Sequence, residues 1–150
     1  MAVGRRASGP VRPVTLAHTI LYGIPKTIIT AGGVLESMSS TESVPAEPIQ
    51  LSSPDEFDDL VADHDVVLVD FYADWCGPCR MMEPAVESVA AETDAAVVKV
   101  DVDVHQSLAA EYGVQGIPTL LVFAGGELAD RMVGAQNEDA LTDAITEHTA

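Results

Sequence analysis

Basic residues are scarce in this chain, with seven Lys and Arg against 24 Asp and Glu in 150 residues, for a formal net charge of −17. They are also unevenly placed. Residues 1–37 hold four bases (Arg5, Arg6, Arg12, Lys26) and one acid, net +3, whereas residues 38–150 hold three bases (Arg80, Lys99, Arg131) and 23 acids, net −20. So acidic a domain cannot neutralise phosphates, which excludes nucleic acid as a partner. Long apolar runs are missing too. No stretch reaches the roughly 18 uninterrupted apolar residues that a spanning helix needs, so no membrane segment is expected.

Cysteine is nearly absent. Two residues, Cys76 and Cys79, cannot build a disulfide framework. They are half a zinc site, two inert core thiols, or a redox dithiol. A structural zinc ion takes four ligands, yet no third cysteine exists, and His18, His64, His105 and His148 are scattered without ligand spacing. No metal is expected.

The acidity itself has two readings. One is solubility, because net charge far from zero resists association. The other is life in concentrated salt, where a Debye length of about 3 Å at 1 M hides self-repulsion. Three bases in residues 38–150 favour the salt reading.

Length and composition fit one domain plus a tail. Residues 1–37 form a basic N-terminal extension interrupted by Pro10, Pro13, Pro25 and Gly32-Gly33. Its apolar run Val14–Ile24 after an arginine-rich start raises a secretory signal. His18 inside the run and Pro25-Lys26 at its end weaken that reading. Met38, followed at once by polar and acidic residues, reads instead as the true start, with 1–37 an over-long reading of the gene. Residues 38–48, with Pro45 and Pro48, form a flexible lead-in.

From Ile49 to the C-terminus, strands and helices alternate. Ser53-Pro54-Asp55-Glu56 is a capping box with proline at the first helical position, opening a helix that turns Phe57, Leu60 and Val61 inward. Val66–Tyr72 is apolar enough for a central strand covered on both faces. A long helix follows the cysteine pair to about Thr93, with a kink expected at Pro84. Val97–Val102 is the next strand, and Gln106–Tyr112 a short helix ended by Gly113. Thr119–Ala124 and Glu127–Val133 form a hairpin on Gly125-Gly126. Asn137 caps a last helix with Leu141 and Ile145 inside. The order β-α-β-α-β-α-β-β-α predicts an α/β fold: a central mixed sheet flanked by helices on both faces.

The chemistry lies in Trp75-Cys76-Gly77-Pro78-Cys79, where a strand hands over to a helix. Cys76 then sits at a helix N-terminus, whose unpaired N–H groups and dipole stabilise a thiolate. That lowers its pKa from about 8.5 toward neutrality, and the thiolate is the attacking species. Cys79, three residues on, returns to the same helical side within disulfide reach. Gly77 and Pro78 suit a tight first turn. Cys76 would attack a target disulfide, and Cys79 would then attack Cys76 and release the reduced target.

The stretch Val69–Met81 (Val-Asp-Phe-Tyr-Ala-Asp-Trp-Cys-Gly-Pro-Cys-Arg-Met) resembles the active-site segment of the thioredoxin family. Lys99–Asp103, Tyr112–Leu120, Phe123–Glu127 and Val133–Ala135 continue the resemblance in family order and spacing, from about Ile49 to the C-terminus. It implies the thioredoxin fold and a protein-disulfide reductase, an electron carrier of cell redox homeostasis. Asp70 matches the buried aspartate that takes the resolving thiol's proton through water, its pKa raised by burial, and Lys99 matches the lysine beside it. Ile117-Pro118 matches the cis-proline loop. Trp75, Gly77, Pro78, Ile117, Pro118, Gly134 and Ala135 would form an apolar docking patch, with the Ile117 backbone pairing an extended substrate. Tyr72 stands where the family commonly has tryptophan, and Arg80 where it has lysine. Asp74 and Glu83 add negative charge that raises thiol pKa at low salt.

No cofactor is implied beyond the dithiol. The implied partners are a thioredoxin reductase and disulfide-containing protein substrates, met by a monomer in the cytoplasm. Two alternatives remain: an exported thiol oxidase or isomerase, which a working signal in residues 1–37 would favour, and a non-catalytic thioredoxin-fold subunit, which has no use for Cys76, Cys79, Asp70 and Pro118 together. The salt reading makes one prediction. The melting temperature of the domain should rise steeply from low to molar salt, and an unchanged value would return the acidity to a matter of solubility alone.

Overall fold

A computed structural model describes residues 43–149. The expectations for residues 1–37, and for 38–42 of the lead-in, fall outside that range. Nine elements follow in the expected order: β1 (Ile49–Gln50), α1 (Pro54–Asp63), β2 (Val66–Tyr72), α2 (Gly77–Glu92), β3 (Ala96–Asp101), α3 (Gln106–Glu111), β4 (Thr119–Ala124), β5 (Glu127–Val133) and α4 (Glu138–His148).

The strands form one sheet in the order β1-β3-β2-β4-β5. β3 runs parallel to β1 and β2, while β4 is antiparallel to both β2 and β5. β2 therefore has a partner on each side, and its residues Val66–Phe71 are all buried. Side chains alternate across a strand, so β2 feeds two cores. Val67, Val69 and Phe71 join Phe57 and Val61 of α1 and Leu108 of α3. Leu68 joins Met82, Val86 and Val89 of α2 and Leu141 and Ile145 of α4. Leu60 is half-buried at the edge of the first core.

Local signals account for the boundaries. Ser53 Oγ accepts the Glu56 N–H at 3.4 Å, and the Glu56 carboxylate reaches back to the Ser52 N–H at 2.8 Å, one residue earlier than an ideal capping box. Asn137 Oδ1 caps α4 through the Ala140 N–H at 2.8 Å. Gly125 and Gly126, with φ of 60° and 85°, make the left-handed two-residue turn of a tight hairpin. α2 continues through Pro84 as one element of 16 residues; the missing proline N–H leaves the Arg80 carbonyl without its usual helical donor. β3 starts and ends one residue before the expected 97–102. Val102 nonetheless donates to the Tyr72 carbonyl at 2.9 Å, so the chain leaves the ladder gradually.

Burial predicts where the fold is sensitive. Leu68→Ala, in the middle of β2 with 0% exposure, should cost roughly 2–5 kcal/mol in denaturant unfolding. Leu128→Ala on the exposed side of β5, 44% accessible, should stay within about 0.5 kcal/mol of wild type.

Candidate active site

β2 ends under the start of α2, and the residues between them carry the dithiol. Cys76 is the N-cap of α2 with extended backbone (φ −85°, ψ 110°), and its Sγ accepts the Cys79 N–H at 3.2 Å. A sulfur here does what serine or aspartate oxygen does at other helix starts. The same N–H and the helix dipole would stabilise negative charge on Cys76 after reduction. Pro78 fits early in the helix, where its missing N–H costs nothing. Cys76 and Cys79 form a disulfide with Cα atoms 5.3 Å apart. Both cysteines are buried, packed with Ala73 and beside Tyr72, Val102 and Ile117.

Asp70 lies on β2 with 1% of its surface exposed, and its Oδ1 has no hydrogen-bond partner among the described residues. Burial is the main cause that lifts its pKa from 3.8 to about 6, with Lys99 pulling it down and Glu83 pushing it up. Lys99 is its register partner on β3. The Lys99 ammonium donates to Glu83 Oε1 at 2.8 Å and lies 4.5 Å from the centre of the Tyr72 ring. Burial tends to lower the Lys99 pKa, but the Glu83 hydrogen bond and charge, with Asp70, raise it on balance. A cavity of about 200 Å³ joins Asp70 to Cys79 and is also lined by Arg80, Glu83 and Lys99. It offers a route for water between the buried carboxyl group and the second sulfur.

On the outer side of the disulfide, Trp75 is 70% exposed and its indole N–H donates to Asp103 Oδ2 at 2.9 Å. The Ile117-Pro118 peptide is cis. The Gly134 N–H donates to the Pro118 carbonyl at 2.8 Å, which brings the end of β5 against the proline loop. Gly77, Pro78 and Ala135 are exposed, Ile117 and Gly134 half-buried, and Pro118 buried. A groove of about 350 Å³ between Trp75 and Ile117 is floored by Val102, Ala109 and Val114. The two sides of the dithiol thus differ: a polar cavity toward Asp70, and an apolar groove toward solvent.

Three contacts join residues whose pairing no sequence pattern encodes. Asp103 holds Trp75 across 28 residues, Glu83 holds Lys99 across 16, and His105 is buried with Nε2 3.1 Å from the Leu51 carbonyl. Only Glu83 had a local clue, since it lies one helical turn beyond Cys79 on the same side. His105 sits at the start of α3, apart from the dithiol. Among the described residues no group of three or more His, Cys, Asp or Glu could hold a metal ion.

Comparison with known proteins agrees with this geometry. The family model described as thioredoxin matches residues 48–147. The thioredoxin of Chlamydia caviae is 40% identical over 102 residues, covering 67% of this chain and 99% of that protein. Among solved structures, a single-site mutant thioredoxin from Halobacterium salinarum is 56% identical, with a TM-score of 0.69 over 71% of this chain and 95% of that one. A Malassezia sympodialis thioredoxin is 38% identical, with a TM-score of 0.63 over 71% and 96%. A family match across two thirds of the chain, together with a dithiol at a helix N-terminus, makes this chain a member of the thioredoxin family, a protein-disulfide reductase that works by dithiol–disulfide exchange.

Proposed function

We propose that Cys76 is the attacking sulfur, Cys79 the resolving sulfur and Asp70 the base that serves Cys79. In the reduced protein, the Cys76 thiolate attacks one sulfur of a target disulfide, forming a mixed disulfide and expelling the other target sulfur as a thiolate. Cys79 passes its proton through water to Asp70 and attacks Cys76 Sγ. The second target thiolate leaves, and Cys76–Cys79 closes as the disulfide. Two electrons have moved from the dithiol to the target. A thioredoxin reductase then returns two electrons and two protons to the pair.

The observation that carries this reading is the cap: Cys76 Sγ accepts the first-turn N–H of Cys79, which favours charge on the first sulfur and leaves the second to face Asp70. The cis Ile117-Pro118 loop and the apolar groove beside Trp75 support docking of an extended target segment. Among the described residues the Ile117 main chain makes no hydrogen bond, so both its groups are free to pair with such a segment. Trp75, Gly77, Pro78, Ile117, Pro118, Gly134 and Ala135 form the docking patch in this reading. Lys99 biases Asp70. The setting we propose is a monomer in the cytoplasm of a cell with concentrated salt, with residues 49–150 as the working domain.

Two predictions follow from these roles. Cys79→Ser should accumulate mixed disulfides with protein substrates in molar salt, whereas Cys76→Ser should trap none. The couple should equilibrate near about −270 mV, the established value for thioredoxins, and a value near −120 mV would mark an oxidant instead.

Asp70 also makes stability depend on pH. Its carboxyl is neutral in both folded and unfolded chains only well below pH 3.8, and its pKa is higher in the folded state. The stability gained by staying protonated is therefore lost as pH rises through about 6, where the fold must hold a buried charge. Asp70→Asn should raise stability by about 3 kcal/mol above pH 7 and by nearly nothing at about pH 3. Thermal melts at the two pH values check this.

A further inference from the structure

Lys99 stands directly opposite Asp70 in the parallel pairing of β2 with β3. A lysine beside a buried carboxylate would ordinarily close on it as an ion pair, since the alternative is an uncompensated buried charge. Here it does not. The ammonium is bonded to Glu83 at 2.8 Å, and Asp70 Oδ1 is left without a protein partner. Glu83 is half-exposed at 49%, so its carboxylate remains in contact with water while it holds a lysine that is only 16% exposed. Glu83, Lys99, Asp70 and Cys79 all line the same cavity.

We propose that Glu83 is a positioning residue for proton transfer: it draws the Lys99 ammonium away from Asp70 and so keeps Asp70 Oδ1 unbonded, ready to accept the proton of the Cys79 thiol. This rests on the reading of Asp70 as the base for Cys79. The step balances simply. The proton leaves Cys79 Sγ and ends on Asp70, while the electron pair left on sulfur forms the new bond to Cys76 and the target sulfur departs with the pair of the broken bond.

Without Glu83, Lys99 is free to swing onto Asp70. The carboxylate then accepts a charged hydrogen bond at the oxygen that should receive the proton, and it becomes a weaker base. The other charged or titratable groups facing this cavity are Arg80 and Cys79 of α2, Tyr72 of β2, and Asp74 in the turn that follows. Of the cavity's charged side chains, Glu83 alone has a hydrogen bond to Lys99. The electrostatic balance agrees in sign, since Lys99 lowers the proton affinity of Asp70 and Glu83 raises it.

The test is the pH profile of mixed-disulfide resolution, followed by Trp75 fluorescence in single-turnover mixing of the reduced protein with a disulfide substrate in molar salt. Glu83→Ala should move the midpoint of the Asp70-dependent limb about one pH unit lower and reduce the plateau rate about threefold, as a base weakened tenfold would. Glu83→Gln, which keeps a hydrogen-bond acceptor for Lys99 but loses the charge, should shift it less. In an Asp70→Asn background, Glu83→Ala should produce neither change. The proposal is overturned if Glu83→Ala leaves the midpoint in place, or if its effect persists in full without Asp70, which would mean the charge acts on the thiols directly. A wild-type limb in Asp70→Asn alone would overturn the role of Asp70 itself, and this inference with it.

Discussion

The junction between β2 and α2 is the constraint on which the site depends. A helix start leaves N–H groups without intrahelical partners, and in this chain the first group to meet them is a cysteine sulfur at the N-cap. That arrangement holds only if the strand below and the helix above are both fixed. β2 is fixed by pairing on two sides, and α2 is pressed onto it by Met82, Val86 and Val89. The dithiol is therefore held between two elements whose inward side chains are buried. The same packing that steadies the sulfurs strips water from Asp70 three residues before the strand's exit turn. A raised carboxyl pKa is the physical consequence of putting the dithiol over a buried central strand.

Two environments meet at the disulfide, and the proposed roles divide between them. The inner face is polar and narrow, with one buried carboxyl group, one lysine and one half-exposed glutamate. The outer face is apolar, shallow and edged by a tryptophan whose ring is exposed while its N–H is satisfied by Asp103. The proposed proton transfer belongs inside, where a few charges in a low dielectric have large effects. The proposed docking of targets belongs outside, where apolar contact and main-chain groups would meet an extended segment.

The elements were legible in the sequence because each has a local signature. Ser53 and Asn137 cap, Gly113 and Gly125-Gly126 turn, and β2 is a continuous apolar run. The chemistry was legible because Trp75-Cys76-Gly77-Pro78-Cys79 places its parts within one helical turn. Boundaries slipped by one residue at β3, where Val102 still bonds to β2 beyond the regular ladder. The polar contacts that tune the site were not legible. Lys99 meets Glu83, Trp75 meets Asp103, and His105 meets Leu51 only after the sheet has brought distant segments together. No period or cap encodes such pairs. The buried aspartate was legible as unusual, from its apolar flanks, but the escape of Lys99 from it was not.

The scarcity of positive charge gives a last view of the same molecule. Surface acids in a domain this acidic are numerous and largely interchangeable, so their individual positions carry little information. The three bases of the domain are different. Arg80 follows Cys79 directly and lines the cavity to Asp70. Lys99 pairs with Glu83 above the buried carboxyl group. Arg131 reaches from β5 to donate to the carbonyl of Tyr112, at the end of α3, where a cation also suits the helix dipole. From Tyr112 the chain runs to the cis-proline loop, whose far end is held by Gly134 at the exit of the same strand. Two of the three cations thus border the cavity between Asp70 and Cys79, and the third anchors the segment leading into the cis-proline loop. In a domain with only three bases, each has a specific partner or a place at the dithiol, as expected if bulk salt screens the surface and only short-range, partly buried contacts require a fixed positive charge.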